Sequence, residues 1–153
     1  MNPTKATQRP RRELRALVLA VVVALVALIT RGLWAGGADQ PVVPQSSVME
    51  TSLGVRFSRV AVVGDGGLVT LSYVVLDAEK AKRFQSDAAH PPLLRSEARD
   101  GSTSRVSLMR QGHTLRPGST YYLVYQNTAG ALRPGEEATI EYAGMSLPHV
   151  PVL

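Results

Sequence analysis

Two hydrophobic rhythms divide the chain. Ala16 to Ile29 (ALVLAVVVALVALI) is apolar at every position, so a helix there would have no polar face to turn to water. From Leu53 onward the apolar residues come in short runs broken by Gly, Pro, Asp and Ser, the spacing of strands and turns. Between these parts, Gly36 to Ser52 (GGADQPVVPQSSVMETS) has little periodicity and reads as an extended linker.

Within the C-terminal part, Val55 to Val63 and Leu68 to Leu76 read as strands, joined into a hairpin by Gly64-Asp65-Gly66-Gly67, residues that tolerate positive φ. Asp77 offers a side-chain acceptor to the free amides of a helix start, and Ala78 to Gln85 has helix-forming composition. Pro91-Pro92 stops that helix. Leu93 to Ser96 and Ser104 to Met109 are then expected as strands joined across Arg99-Asp100-Gly101-Ser102. Thr120 to Gln126 (TYYLVYQ), apolar and aromatic at successive positions, is expected to be a central strand covered on both faces. Leu132-Arg133-Pro134-Gly135 turns the chain into a strand at Ala138 to Tyr142, and Gly144 separates this from Met145 to Val152. Pro148 and Pro151 lack amide donors, which puts that last strand at an edge or makes it irregular. The fold expected over 53–153 is mainly β: an antiparallel, immunoglobulin-like sandwich with one short helix.

The fourteen residues of Ala16 to Ile29 would cover only about 21 Å of a hydrocarbon layer roughly 30 Å thick. Arg15 and Arg31 can extend their guanidinium groups toward the interfaces, so the span 14–35 supplies about 33 Å and reads as a transmembrane signal anchor. Trp34 suits the interfacial aromatic belt, and Arg9, Arg11, Arg12 and Arg15 keep the basic tail, 1–13, in the cytoplasm. The alternative is a cleaved secretory signal with Gly36-Gly37-Ala38 as the cleavage site, followed by secretion. Arg31 and Trp34, placed between the apolar run and that site, argue for the anchor.

Charge sharpens this division. The net +5 resides wholly before Asp39, where six basic residues face one acid; after it, eleven basic residues balance eleven acidic ones. A neutral domain has no basic stripe for DNA or RNA, so nucleic acid is excluded as a partner. Cysteine is absent, which excludes disulfides, lipid-modified cysteine, thiolate metal sites and cysteine nucleophiles. An extracytoplasmic domain without disulfides points to the bacterial inner membrane.

Tyr73-Val74-Val75-Leu76-Asp77-Ala78-Glu79-Lys80-Ala81, then Thr120 to Asn127 (TYYLVYQN) and Leu132-Arg133-Pro134-Gly135, resemble a pattern in bacterial membrane-anchored or exported proteins: a strand running into VLDPEKA, then TYFLLF-NPG and L-KPG. The resemblance runs over most of Gly54 to Tyr142 and implies location, with no catalytic residues. This chain departs from it at Ala78, where the pattern has proline, and at Thr128-Ala129, where it has proline and glycine.

The candidate ligands are Met109, His113, Met145 and His149, two Met-x-x-x-His pairs whose thioether and imidazole groups suit copper. Against a copper site, Gly112 and Pro148 interrupt regular helix, and both methionines serve equally as core residues. No G-x-S-x-G or S-x-x-K arrangement appears, His90 reads as a loop histidine, and Glu136-Glu137 as neighbours on opposite faces. An enzyme is not expected, nor is a resident cofactor. The expectation is a single-pass, membrane-tethered binding or scaffold domain. It meets the bilayer through 14–35 and a protein partner in the membrane or periplasm, with the Met145 to Val152 edge as a contact surface; an extracytoplasmic copper carrier is the alternative.

Overall fold

A computed structural model describes residues 41–87, 89–107 and 114–153. The basic tail, the apolar segment with its arginines and Trp34, and the pair Met109 and His113 lie outside the described residues. Among those described, no helix is long and apolar enough to cross a membrane. Pro41 to Leu153 forms one unit: mainly β, with two antiparallel sheets and two helices.

The unit begins within the stretch read as linker. Helix α1, Ser47–Leu53, starts where the Ser46 hydroxyl accepts from the Met49 amide (3.4 Å), and it buries Met49 and Leu53, one turn apart. It ends at Gly54, φ 67°, whose carbonyl accepts from the amides of Leu76 (2.8 Å) and Asp77 (3.0 Å). A Cβ at Gly54 would lie 2.6 Å from the Cβ of Lys80, so only glycine lets these segments approach.

Strands β1, Val55–Val63, and β2, Leu68–Val75, form the expected hairpin, with positive φ at Gly64, Asp65 and Gly66. Helix α2, Ala78–Ser86, starts at Asp77, whose carboxylate accepts from the Lys80 amide (3.0 Å). Its Phe84 ring stands edge-on to Phe57 (6.1 Å), Tyr73 (5.4 Å) and Tyr142 (5.4 Å).

The remaining strands are β3 (Leu93–Ser96), β4 (Ser102–Thr103), β5 (Val106–Ser107), β6 (Thr120–Gln126), β7 (Glu137–Tyr142) and β8 (Met145–Pro151). The first sheet has the order β1-β2-β6-β5 and the second β4-β3-β7-β8. Both contribute to one core: Val60, Leu71, Tyr73 and Tyr125 from the first, Leu94, Ile140, Leu147 and Val150 from the second.

Two expected strands are corrected. Of the strand expected at Ser104 to Met109 the described residues show β5, Val106–Ser107, which pairs with β6, while the partner of β3 across the turn is β4, in the other sheet. Thr103 pairs with Leu94 while its hydroxyl donates to the Gln126 carbonyl (2.8 Å), so the chain turns a corner there. Among the described residues the strand at Thr120 to Gln126 turns one face to the core and leaves the other partly open to solvent. Tyr121, Leu123 and Tyr125 turn inward opposite Tyr73, Leu71 and Val69, whereas Tyr122 is 45% exposed.

Strand β8 lies at the edge of its sheet, as its prolines require. Beyond it the chain crosses to β1: the Val62 amide donates to the Leu153 carbonyl (2.7 Å), and the Leu153 amide to the Val60 carbonyl (3.0 Å). These bonds join the two sheets along one side.

Candidate functional site

The outer face of the second sheet gathers the chemistry. Along β7, Ala138 and Ile140 face the core, so Glu137, Thr139 and Glu141 face outward. Arg95, outward on β3, pairs with Glu141 (2.9 Å). Glu97 follows β3 directly, its amide bound to the Glu137 carbonyl (3.0 Å).

On β8 the register shifts. Ile140 pairs with Leu147 and Ala138 with Val150, so Pro148 and His149 together oppose Thr139: a β-bulge. The extra residue lets Leu147 and Val150 both reach the core, and His149 takes φ 59°, a left-handed conformation costing a residue with a Cβ roughly 1–2 kcal/mol. The His149 amide donates to Glu97 Oε1 (2.7 Å), and the Thr139 hydroxyl donates to the same oxygen (2.7 Å). The imidazole Nδ1 lies 3.0 Å from Glu97 Oε2 and 3.1 Å from Glu137 Oε2.

These contacts set the protonation states. The His149 amide and then the Thr139 hydroxyl hold the Glu97 carboxyl below its ordinary range. The hydrogen bond to Glu137, then the negative charge of Glu97, raise the His149 imidazole above its ordinary value. Among the described residues this is the place where three potential ligand groups converge, their ligand atoms all within 4.8 Å of one another.

The bulge separates the residues that sequence spacing brought together. In a regular strand Met145 and His149 would share a face. With one residue inserted, Met145 packs against the core while the His149 ring lies 69% exposed on the outer face beside carboxylates. Met109 and His113 lie outside the described residues. Glu136 and Glu137 do diverge: Glu136 turns to Arg99 (2.7 Å) and Ser96 (3.1 Å), Glu137 to His149. Glu97 carries no local signal in the sequence, since its role depends on the pairing of β3, β7 and β8.

His90 hydrogen-bonds Asp87 (3.0 Å) and, with Ser146, lines a shallow cleft of 370 Å³ at the β7–β8 turn. A histidine held by a carboxylate is the arrangement a general base needs. Here one Asp87 oxygen caps a local turn by accepting from both the amide and the ring of His90. The ring is 83% exposed, and no hydrogen bond joins it to Ser146.

The outer face of the first sheet differs in kind. β1, β2 and β6 contain no Asp or Glu, and their outward positions present Arg59, Val63, Leu68 and Tyr122 to solvent.

Comparison of the chain with protein-family models, curated proteins and solved structures finds no match.

Proposed function

We propose that this chain is a membrane-tethered binding or scaffold domain, acting through contact rather than catalysis. Residues 14–35 serve as the anchor, Arg9, Arg11, Arg12 and Arg15 stay on the cytoplasmic side, and an immunoglobulin-like sandwich of the two sheets meets a protein partner on the extracytoplasmic side.

The observation that carries the binding reading is the outer face of β1, β2 and β6. Protein-binding surfaces are enriched in Tyr and Arg and depleted in Asp, Glu and Lys at their centres. The three strands supply Tyr122 at mid-strand, Arg59 and Arg56 as their charges, aliphatic Val63 and Leu68, and no acid or lysine of their own. Arg56 is held by Glu50 through two hydrogen bonds (2.9 and 2.8 Å), which leaves Arg59 without an ion-pair partner among the described residues.

The test uses the full chain, expressed in membranes and extracted in detergent. Stoichiometric co-purification of a partner with the parent chain, lost on Tyr122→Glu while circular dichroism and thermal unfolding are retained, is the expected result. Recovery of the chain alone, or equal recovery with the variant, defeats the reading. For placement, protease added outside spheroplasts should degrade the β domain; a protected domain overturns the topology.

A further inference from the structure

We propose that Glu97, Glu137 and His149 form a site for a divalent first-row transition-metal ion of the zinc class, ligated by one oxygen from each carboxylate and the imidazole Nδ1. The inference is independent of the partner-binding face, which lies on the other sheet.

The spacing fits. Ligand atoms held at about 2.0–2.2 Å from one ion with angles of 90–110° lie roughly 3.0–3.5 Å from each other. The imidazole Nδ1 is 3.0 and 3.1 Å from its two oxygens, and one ligand atom from each of the three residues lies within 4.8 Å of the others. A small rotation of Glu137, the more exposed carboxylate, closes the triangle.

Charge also favours an ion. Two carboxylates beside a neutral imidazole leave two negative charges on one patch, and Arg95, which lies opposite Thr139 on this face, is committed to Glu141. A proton on Nδ1 removes one of those charges and points its single N–H between two acceptors. A divalent ion neutralises both and contacts all three atoms.

The ligands are also braced. Glu97 Oε1 is occupied by the His149 amide and the Thr139 hydroxyl, which fixes the carboxylate and turns Oε2 toward the imidazole. Outer hydrogen bonds of this sort orient ligands in metal sites. Thr139 is therefore a positioning residue. All three ligands project from paired strands or their ends, and a bulge of the kind that re-aims side chains presents His149.

The donor set selects the ion. One nitrogen and two carboxylate oxygens suit Zn²⁺, Co²⁺, Ni²⁺ or Mn²⁺; cuprous copper prefers the thioether sulfur that Met145 keeps turned to the core. Mg²⁺ retains its waters and gains little from imidazole.

The experiment titrates Zn²⁺ into the untagged, chelator-stripped full chain in detergent, by calorimetry. Saturable binding of one equivalent is expected, with affinity reduced at least tenfold in His149→Ala and in Glu97→Gln/Glu137→Gln, which preserves side-chain shape. Thr139→Val should weaken binding severalfold, with unchanged stoichiometry. His90→Ala and Met145→Leu should bind as the parent does. Far-ultraviolet circular dichroism establishes that each variant is folded. Absence of saturable binding, binding undiminished in folded His149→Ala, loss of binding in His90→Ala, or displacement of Zn²⁺ by a modest excess of Mg²⁺ each overturns the assignment.

Discussion

Arg99 grips Glu136 through two nitrogens, at 2.7 and 3.1 Å, and with the same guanidinium reaches the carbonyls of Gly130 (2.8 Å) and Ala131 (3.2 Å). One side chain thus ties the β3–β4 turn to the entrance of β7. The hydrogen bond from Arg99, followed by that from Ser96, holds the Glu136 carboxyl below its ordinary range. A depressed folded value contributes stability that is present above the unfolded carboxyl pKa, about 4.3, and is lost as pH falls through the folded value. Arg99→Ala should therefore lower stability at neutral pH and shrink the difference between neutral and acidic conditions. Denaturant unfolding at both pH values measures this, and an unchanged difference would rule the linkage out.

Tyr73 and Tyr125 are both fully buried, and neither hydroxyl finds a hydrogen-bond partner among the described residues. Tyr73→Phe and Tyr125→Phe remove an unsatisfied group while keeping the ring, so each should be neutral or stabilise by up to about 1 kcal/mol. Tyr73→Ala should instead cost about 3–5 kcal/mol, through the cavity left against Phe84 and Tyr121. Loss of more than about 1 kcal/mol in either phenylalanine variant would indicate a partner for that hydroxyl.

The same burial predicts an alkaline response. Desolvation, then the neighbouring Tyr121, push the Tyr73 phenol up to about 12, and burial also raises Tyr125. The unfolded chain ionises first, near pH 10, so this contribution is complete below that value and is lost as pH rises toward 12. Tyrosinate absorbance should show two phenols appearing together with unfolding. Their titration in a still-folded domain would refute the prediction.

Ala129 holds φ 55° in the turn after β6, where the resembled pattern has glycine. Ala129→Gly removes the Cβ conflict at the cost of a more flexible unfolded chain, and should stabilise by roughly 0.5–1 kcal/mol. A lower unfolding midpoint would mean that the methyl group contributes packing.

Gly101 presses on the same turn from the other side. A Cβ there would sit 2.3 Å from the Ala131 carbonyl oxygen, which accepts from Arg99 and adjoins the Leu132 amide held by Asn127. Gly101→Ala should cost roughly 1–3 kcal/mol and lower the thermal midpoint by several degrees. An unchanged midpoint would show that the two turns separate freely.

What the sequence disclosed follows the range of the interactions. The β1–β2 hairpin and α2 with its Asp77 cap are local, resting on glycines and a side-chain acceptor a few residues from what they control. The first helix had comparable signals, Ser46 before it and Gly54 after it, but Pro41, Pro44 and the polar run around them read as linker. The corner at Thr103 depends on a bond to Gln126, and the one-sided burial of β6 depends on what packs against the sheet. Neither partner is near in sequence. His149 stood out by residue type, whereas its company did not: a four-residue spacing suggested Met145, and the bulge exchanged that neighbour for Glu97 and Glu137.

The bonds between Leu153 and β1 also set the order in which the fold can be completed. As the chain is made, β1 arrives early and waits for a partner segment that follows about 90 residues later. Until then Val60-Ala61-Val62 offers bare amides and carbonyls on a strand rich in β-branched residues, an open template for another copy. Stalled or truncated molecules should be the ones that clump, while finished ones hide that edge beneath their own tail.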